Sequence, residues 1–239
     1  MQVQADKLQK RFREAAPEEV LSWFVLTYGG KTAFSTSLGA EDQVITCMIA
    51  GFVPPVRIFT FDTGRLFQET YDLLDITEKK YGLKIELFFP DAGRVEEMVR
   101  EKGINLFYES IENRQLCCHI RKIEPLKRAL EGMEIWITGV RNVQSVTRSG
   151  TKLVEWDPVN RIIKVNPLVN WTDEMVWQYI RGKEIPVNEL HAKGYPSIGC
   201  LPCTRAVLPG EDIRSGRWWW ELPEYRECGL HKRPAGSAS

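Results

Sequence analysis

The sequence predicts an α/β fold built around a parallel sheet. Short runs rich in β-branched and aromatic residues, such as "VRIFTF" and "MEIWITGV", alternate with stretches of helical periodicity, and this alternation is typical of βαβ units. The chain has 239 residues and is 43% hydrophobic, which is enough for one sizeable core or at most two small domains. Polar loops follow three of the predicted strands, at the position where open α/β sheets bind ligands.

The N-terminal half alternates between the two patterns, with recognisable boundaries. Pro17 suits the start of a helix, because proline is favoured in the first helical turn, and Gly82 suits the end of one. Helical patterns occupy residues 8–28, 40–50, 68–82, 94–103 and 120–132. Strand-like patterns occupy residues 31–37, 56–61, 83–89 and 133–140.

The C-terminal half departs from this alternation. Residues 152–157 and 161–169 are spaced like a β-hairpin with its turn at "PVN". Residues 171–180 follow as a helical pattern, with Thr172 or Asp173 near its N-terminal cap. Beyond Ile185 the chain becomes rich in proline, glycine and cysteine. No internal repeat or clear linker interrupts the chain.

Composition and charge narrow the possible functions. Lysine plus arginine and aspartate plus glutamate each number 32, so the overall charge gives no argument for binding nucleic acid or an anionic membrane. No apolar run reaches the roughly 18 residues that a transmembrane helix needs, and the N-terminal stretch lacks the apolar region of a secretory signal. We therefore expect a cytoplasmic protein with no membrane partner, in which CxxC favours metal binding or catalysis over a structural disulfide.

Three polar loops are candidate ligand-binding segments. The first precedes a predicted helix, whose N-terminal N–H groups could bind phosphate; it lacks both the GxxxxGK[ST] pattern of a Walker loop and the SGGxDS pattern of ATP-pyrophosphatases. An ordinary strand-to-helix turn explains one such loop equally well, but three on one sheet edge favour a binding site. The candidate residues are Ser35, Ser37, Gly39, Glu41 and Asp42 in the first loop, Asp62, Thr63, Gly64 and Arg65 in the second, and Arg141 and Arg148 in the third.

Two further arginines are candidates for anion binding. Arg214 and Arg217 lie in "GEDIRSGRWWW", and the planar guanidinium fork matches oxyanions in a bidentate way. For any single arginine in this set, solvated surface charge is the alternative.

Four of the six cysteines form two tight pairs. Cys117 and Cys118 are adjacent, and Cys200 and Cys203 form a CxxC motif. Four thiolates hold either structural Zn²⁺ or an iron–sulfur cluster. Adjacent cysteines point about 100° apart on a helix, which favours a 4Fe-4S cluster without excluding zinc. A buried apolar pair beside a redox-active CxxC is the remaining alternative.

The other two cysteines have different surroundings. Cys47 lies on an apolar helical face, where core packing explains it. Cys228 lies near the C-terminus among Arg226, His231 and Lys232, and cationic neighbours lower the pKa of a thiol and favour the nucleophilic thiolate. Cys228 is therefore a candidate nucleophile on a mobile segment. His231 is either a partner of that nucleophile or a solvated tail residue.

Together these motifs resemble the iron–sulfur branch of the adenylylsulfate/phosphoadenylylsulfate (APS/PAPS) reductase family, the assimilatory sulfonucleotide reductases. The resemblance rests on "SLGAED", "DTGRL", "CCHIRK", "GCLPCTR", "GEDIRSGRWWW" and "ECGLH", which occur in the family's order from about Lys31 to His231. Each loop is modestly specific, whereas the tandem cysteines combined with CxxC and a C-terminal ECGLH are highly specific.

The resemblance implies a fold, a cofactor and a division of the chain. The fold is a Rossmann-like parallel sheet of the adenine-nucleotide α-hydrolase-like type, with helices on both faces. Residues 1–210 form one nucleotide- and cluster-binding α/β domain, and residues 211–239 form a mobile segment that carries the nucleophile. One 4Fe-4S cluster is bound by Cys117, Cys118, Cys200 and Cys203 with Lys122 beside it, and neither flavin nor nicotinamide is used.

The resemblance also implies a reaction and its partners. Cys228 attacks the sulfur of APS, AMP leaves, and thioredoxin or a similar dithiol releases sulfite from the Cys228 S-sulfonate. The candidate loop residues and arginines bind the nucleotide, and His231 assists in the closed site. The resemblance further implies a homo-oligomer, and no nucleic-acid partner.

Three alternatives remain open on the sequence. A cluster-bearing PAPS reductase, or one that accepts both nucleotides, would need a further cationic contact for the 3′-phosphate. A tRNA-thiolating enzyme of related fold is disfavoured by the missing SGGxDS loop and the neutral charge. A non-catalytic zinc-binding module leaves the loops and Cys228 unexplained.

Overall fold

The computed structural model describes residues 1–144, 148, 150–227 and 229–230. The predicted site residues Cys228 and His231 lie outside these described residues. None of the helices in the described part of the chain has the length and apolar character needed to cross a membrane. The α-helices are α1 (Gln2–Arg11), α2 (Pro17–Tyr28), α3 (Ala40–Ile49), α4 (Gln68–Tyr81), α5 (Ala92–Lys102), α6 (Ile111–Cys118), α7 (Glu124–Ala129) and α8 (Asp173–Gly182). The strands are β1 (Thr32–Ser35), β2 (Arg57–Phe61), β3 (Ile85–Phe88), β4 (Ile135–Ile137), β5 (Val154–Asp157) and β6 (Ile162–Val165).

The described strands form one six-stranded sheet in the order β3-β2-β1-β4-β6-β5. All neighbours pair in parallel except β5, which runs antiparallel to β6 as the predicted hairpin. From β1 the chain extends the sheet first through β2 and β3 and then, on the other side, through β4. This reversal makes the carboxyl ends of β1 and β4 a topological switch point, where open α/β sheets bind ligands.

The sheet is covered on both faces, as predicted. Successive residues of a strand point to opposite faces, and in β1 the side chain of Phe34 joins one buried cluster while that of Ala33 joins another. Helices α1, α2, α3 and α8 pack on the Phe34 face, and α7 packs on the Ala33 face.

Several helix ends lie where local residue patterns predicted them. Pro17 is the first residue of α2, and Gly82 ends α4 with φ 62°, a left-handed conformation that glycine adopts without steric cost. The hydroxyl of Thr172 accepts a hydrogen bond of 3.2 Å from the N–H of Met175 and so caps α8. A cap of this kind stabilises a helix by about 1 kcal/mol.

The helix predicted over residues 120–132 has a different form. Residues His119–Ile123 make a π-helical turn that joins α6 to α7. Pro125 lies one turn further on, and a proline ring clashes with the carbonyl four residues earlier in a regular α-helix, so a wider turn accommodates it. Single π turns are frequent at functional sites, and this one follows Cys118 and contains Lys122.

Candidate active site

A cavity of about 700 Å³ lies beyond the carboxyl ends of β1, β2 and β4, at the switch point of the sheet. The loops that follow these strands supply part of its lining, and residues 194–217 supply much of the remainder. The volume is in the range of small-molecule sites. The predicted site residues that line this cavity are Ser35, Ser37, Gly39, Glu41, Asp42, Thr63, Lys122, Arg141, Arg148, Arg214 and Arg217.

The first loop is folded around Asp42. The N–H and hydroxyl of Ser37 both donate to one carboxylate oxygen of Asp42, at 2.6 and 2.7 Å. Leu38 adopts a positive φ of 59°, so the chain turns sharply before Gly39, the N-cap residue of α3. On the other side of Asp42, a Cβ added to Gly139 would lie 2.1 Å from its second oxygen. The absence of a side chain at Gly139 therefore lets the third loop close on the first.

The carboxyl group of Asp42 is a weaker acid than an ordinary aspartate, because its pKa is raised. Burial raises its pKa to about 6, the hydrogen bonds from Ser37 oppose the rise, and the neighbouring Glu41 adds to it. At pH values below about 6 this carboxyl is mostly protonated.

The second loop faces the cysteines more than the cavity. Asp62 accepts hydrogen bonds from the N–H of Gly64 at 2.7 Å and the hydroxyl of Tyr71 at 2.8 Å, so this carboxylate shapes the loop. Arg65 turns away, donates to the carbonyl of Ile104 at 2.7 Å, and lines a second cavity. Of the four candidates in this loop, Thr63 lines the main cavity, and the lining of that cavity includes neither Asp62, Gly64 nor Arg65.

Arg141 is held firmly by protein groups. Its buried guanidinium donates to Glu41 at 2.7 and 2.9 Å, to the carbonyl of Trp171 at 2.9 Å, and to Asp173. These contacts offset its positive charge and occupy most of its donors. The arrangement favours a supporting role for Arg141, which holds the first and third loops and α8 together at the cavity edge.

Arg148 and Arg214 both approach a residue that the sequence analysis did not single out. Glu227 is buried and lines the cavity, and its carboxylate lies 3.3 Å from Nε of Arg148 and 3.7 Å from Nη2 of Arg214. The sequence signal that could have identified Glu227 is its position directly before Cys228 in "RECGL". The two predicted anion-binding arginines are thus brought together, with an internal carboxylate between them.

Arg217 reaches the cavity past Gly199, where the absence of a side chain leaves space for its guanidinium. Its Nη1 donates to the carbonyl of Ile198 at 3.1 Å, and its guanidinium carbon lies 4.7 Å from the centre of the Trp218 ring. A Cβ added to Gly199 would lie 2.2 Å from Nη2 of Arg217, so only glycine leaves room for this placement. No sequence signal distinguished Gly199 from an ordinary loop glycine.

The four predicted metal-ligating cysteines surround one small cavity of about 20 Å³. Cys117 and Cys118 end α6, while Cys200 and Cys203 flank a short 3-10 turn. Met98, Leu106, Phe107, Ile120 and Trp218 pack around them. The fold therefore brings together two pairs that lie about eighty residues apart in the sequence. Even so, among the described residues no group of three or more histidine, cysteine, aspartate or glutamate side chains could hold a metal ion.

The thiols of this cavity influence one another. Burial and then the neighbouring Cys200 raise the pKa of Cys203 to about 12, and burial raises the pKa of Cys117. Burial also opposes ionisation of Cys200, but Lys122, the hydroxyl of Thr63 at 3.3 Å and the arginines nearby together lower its pKa. The two members of the CxxC motif thus differ, and Cys200 is the one with cationic and hydroxyl neighbours.

Lys122 connects the two cavities. It belongs to the π-helical turn after Cys118 and lines both the large cavity and the cysteine cavity. The adjacent Arg121 donates from Nη1 to the carbonyl of Thr63 at 2.6 Å, which fixes the second loop against this turn. Lys122, predicted to lie between a cluster and the substrate, therefore lies between the cysteine cavity and the large cavity.

The comparisons with known proteins agree with each other. The model of the family described as "Phosphoadenosine phosphosulfate reductase domain" matches residues 31–206. The chain is 51% identical over 221 residues to the adenosine 5′-phosphosulfate reductase of Allochromatium vinosum, covering 92% of this chain and 86% of that protein. It is also 51% identical over 208 residues to the enzyme of the same name from Agrobacterium fabrum, covering 87% of this chain and 80% of that one.

Solved structures support the same assignment of the fold. The structure of phosphoadenylyl-sulfate (PAPS) reductase from Candida auris, a phosphate complex, is 32% identical with a TM-score of 0.73, and the match covers 87% of this chain and 98% of that chain. Yeast FAD synthetase, at 15% identity, a TM-score of 0.55 and coverage of 85% and 66%, shares the fold alone.

Proposed function

Because the chain belongs to the APS/PAPS reductase family, we propose that it is an oxidoreductase that reduces APS to sulfite and AMP in sulfate assimilation. The observation that supports this most is the pairing of two cavities: a nucleotide-sized cavity at the switch point, and a four-cysteine cavity joined to it through Lys122. The relatives that are 51% identical are named as adenosine 5′-phosphosulfate reductases, which favours APS as the substrate.

The proposed chemistry uses a thiolate as nucleophile. The Cys228 thiolate attacks the sulfur of APS, a new S–S bond forms, and the bond between that sulfur and the bridging oxygen breaks, so that AMP leaves with the electron pair. A thiolate of a dithiol protein such as thioredoxin then attacks Sγ of Cys228, sulfite leaves, and a mixed disulfide forms. The second thiol of the reductant displaces Cys228, so the dithiol is oxidised and supplies both electrons.

The described residues supply charge and position for this step. Arg148, Arg214 and Arg217 line the cavity with Lys122, and cationic donors held in place stabilise the negative charge that develops on a leaving phosphate. The first loop presents the N-terminus of α3, which favours a phosphate nearby. Arg141 holds Glu41 and Asp173 and so preserves the shape of the site.

PAPS is the nearest competing substrate. Its 3′-phosphate needs a further cationic contact, and the Candida auris relative that shares the fold at 32% identity is a PAPS reductase. Turnover of APS and PAPS should be compared side by side with thioredoxin as reductant, with sulfite as the measured product. We expect APS to be the better substrate by kcat/KM. Release of sulfite from PAPS but not from APS would contradict APS as the substrate. Reduction of neither nucleotide would refute the proposed function.

We further propose that Cys117, Cys118, Cys200 and Cys203 bind one 4Fe-4S cluster. The donor set fits, because four thiolates around one cavity are the usual ligands of such a cluster. When bound, the cluster would supply rigidity and negative charge rather than electrons, which come from the dithiol.

The cluster proposal predicts a metal content. Protein purified without oxygen should be brown and hold about four irons per chain with a matching amount of acid-labile sulfide. Cys203→Ser should lose most of the iron and the activity, whereas Cys47→Ser, a cysteine packed at the edge of the main core, should keep both. Zinc in place of iron would favour the zinc-binding alternative, and full activity in iron-free protein would refute the requirement for a cluster.

The remaining expectations concern partners and location. A cytoplasmic location, a thioredoxin-like reductant and a homo-oligomeric state are proposals that follow from the family. The division at residue 210 also stays a prediction. Residues 211–217 contact the preceding chain through the ion pair of Arg205 with Glu211 and the bridge between Thr204 and Arg217.

A further inference from the structure

A fully buried arginine lies outside the nucleotide cavity. Arg114 has no exposed surface and lies on α6, three and four residues before the cysteine pair. It borders the cysteine cavity and is absent from the lining of the large one. Arginine is almost never fully buried without partners, and none of the roles proposed above uses this residue.

Most partners of Arg114 belong to the C-terminal segment, and Cys118 on its own helix is a further one. Its Nε and Nη2 donate to the two carboxylate oxygens of Glu221 at 2.8 and 2.7 Å. Nη2 also donates to the carbonyl of Tyr225 at 2.8 Å, and Nη1 donates to the carbonyl of Glu227 at 2.7 Å. The guanidinium carbon lies 5.0 Å from the centre of the Trp218 ring. One side chain therefore contacts the segment at four places.

The contact with Glu227 matters for the next residue. The carbonyl that Arg114 binds belongs to the peptide group that joins Glu227 to Cys228. Arg114 therefore holds the main chain at the last described residue before Cys228. The turn is held internally as well, because Arg226 donates to the carbonyl of Glu221 at 2.9 Å.

Stability alone does not explain this arrangement. Removing two charges from water costs several kcal/mol per ion, and buried ion pairs are often no more stabilising than apolar residues of similar volume. The bidentate fork instead imposes a defined geometry on its partners. A buried ion pair with two additional main-chain contacts is thus suited to fixing the position of a segment.

We propose that Arg114, held by Glu221, is a positioning residue that aligns Cys228 for attack on the bound nucleotide. This inference rests on the proposed function. Arg114 anchors residues 218–227 to the helix that bears Cys117 and Cys118, so the described residues that lead to Cys228 are held beside the cysteine cavity. Arg114 touches neither the nucleotide cavity nor the reacting atoms.

The experiment distinguishes a change in the alignment of Cys228 with the nucleotide from a change in the reactivity of its thiol. Arg114→Lys keeps the charge but loses the fork, and Glu221→Gln loosens the arginine while leaving it beside the cysteines. With ³⁵S-labelled APS and no reductant, we expect single-turnover labelling of Cys228 to slow roughly a hundredfold, since a misplacement of about 1 Å has that effect. The affinity for APS, measured on a Cys228→Ser background, should change little. The alkylation rate of Cys228 by iodoacetamide should stay within about twofold, because a small free reagent needs no alignment.

Two further variants control for misfolding and for the loss of an arginine elsewhere on the surface. The double variant Arg114→Met/Glu221→Met removes both charges together and avoids a lone buried ion, so it should fold with wild-type iron content and still label slowly. Arg94→Lys, a partly exposed arginine paired with Glu97 and Glu124, is the matched control and should behave as wild type.

Two results overturn the inference. One is wild-type labelling rates in both Glu221→Gln and the double variant. The other is a loss of iodoacetamide reactivity parallel to the loss of labelling, which would mean that the thiol itself had changed. If the wild-type protein acquires no label from APS, the proposed function itself is refuted.

Discussion

A Cys228→Ser variant is expected to form no sulfite from APS while it still folds, keeps its iron and binds the nucleotide. A serine hydroxyl ionises too weakly to replace a thiolate at neutral pH, and it cannot form the sulfur–sulfur bond on which the second step depends. The predicted loss is therefore complete, in contrast to the graded losses expected for binding residues. It is the largest effect that we predict for a single substitution.

The covalent product can be measured directly. Wild-type protein incubated with ³⁵S-labelled APS and no reductant should carry about one label per chain on the peptide that contains Cys228, and added dithiol should release it as sulfite. Cys47→Ser serves as the matched control, because Cys47 packs against the core on α3, and it should label as wild type does. Label on Cys203, or normal turnover by Cys228→Ser, would refute the mechanism.

Arg217→Ala is expected to lower kcat/KM for APS roughly a hundredfold, about 3 kcal/mol of transition-state stabilisation. The guanidinium lies in the cavity wall over Trp218, and its buried Nε has no hydrogen-bond partner among the described residues. An oxyanion of the phosphosulfate would satisfy that donor. The loss should appear in kcat/KM, because the charge acts most strongly on the departing phosphate.

Two related substitutions test whether placement matters as well as charge. Arg217→Lys retains the charge without the planar fork and should recover only part of the activity. Gly199→Ala places a methyl group where Nη2 of Arg217 now lies, so the guanidinium must move, and activity should fall although the arginine remains. Arg94→Ala is the surface control. An unchanged kcat/KM for APS in Arg217→Ala would show that Arg217 does not contribute to substrate binding or catalysis.

The sequence by itself determined the parts of this protein that depend on local patterns. Pro17, Gly82 and Thr172 gave helix ends because propensity and capping act within one turn of the chain. Alternation of strands and helices gave a parallel sheet, and that topology placed the loops at residues 35–42 and 138–144 around one cavity. The two cysteine pairs predicted a metal site because metal-ligating side chains usually keep short spacings.

Only the tertiary structure decided which polar side chains reach the cavity and which are occupied by protein partners. Arg141 and Arg217 look equivalent in the sequence, yet Arg141 is surrounded by Glu41, Asp173 and the carbonyl of Trp171, while Arg217 extends past Gly199 into the cavity. Arg65 follows a promising strand end but turns toward Ile104. The direction of a long side chain depends on partners that no local pattern specifies.

The contact between Arg114 and Glu221 shows why such assignments escape sequence analysis. The two residues are 107 positions apart, and neither belongs to a motif with characteristic spacing. Their pairing follows from how the C-terminal segment packs against α6, which is settled by burial and shape over the whole molecule. Residue types and spacings in the sequence therefore predicted the chemistry, whereas long-range packing decided which partners each charged group has.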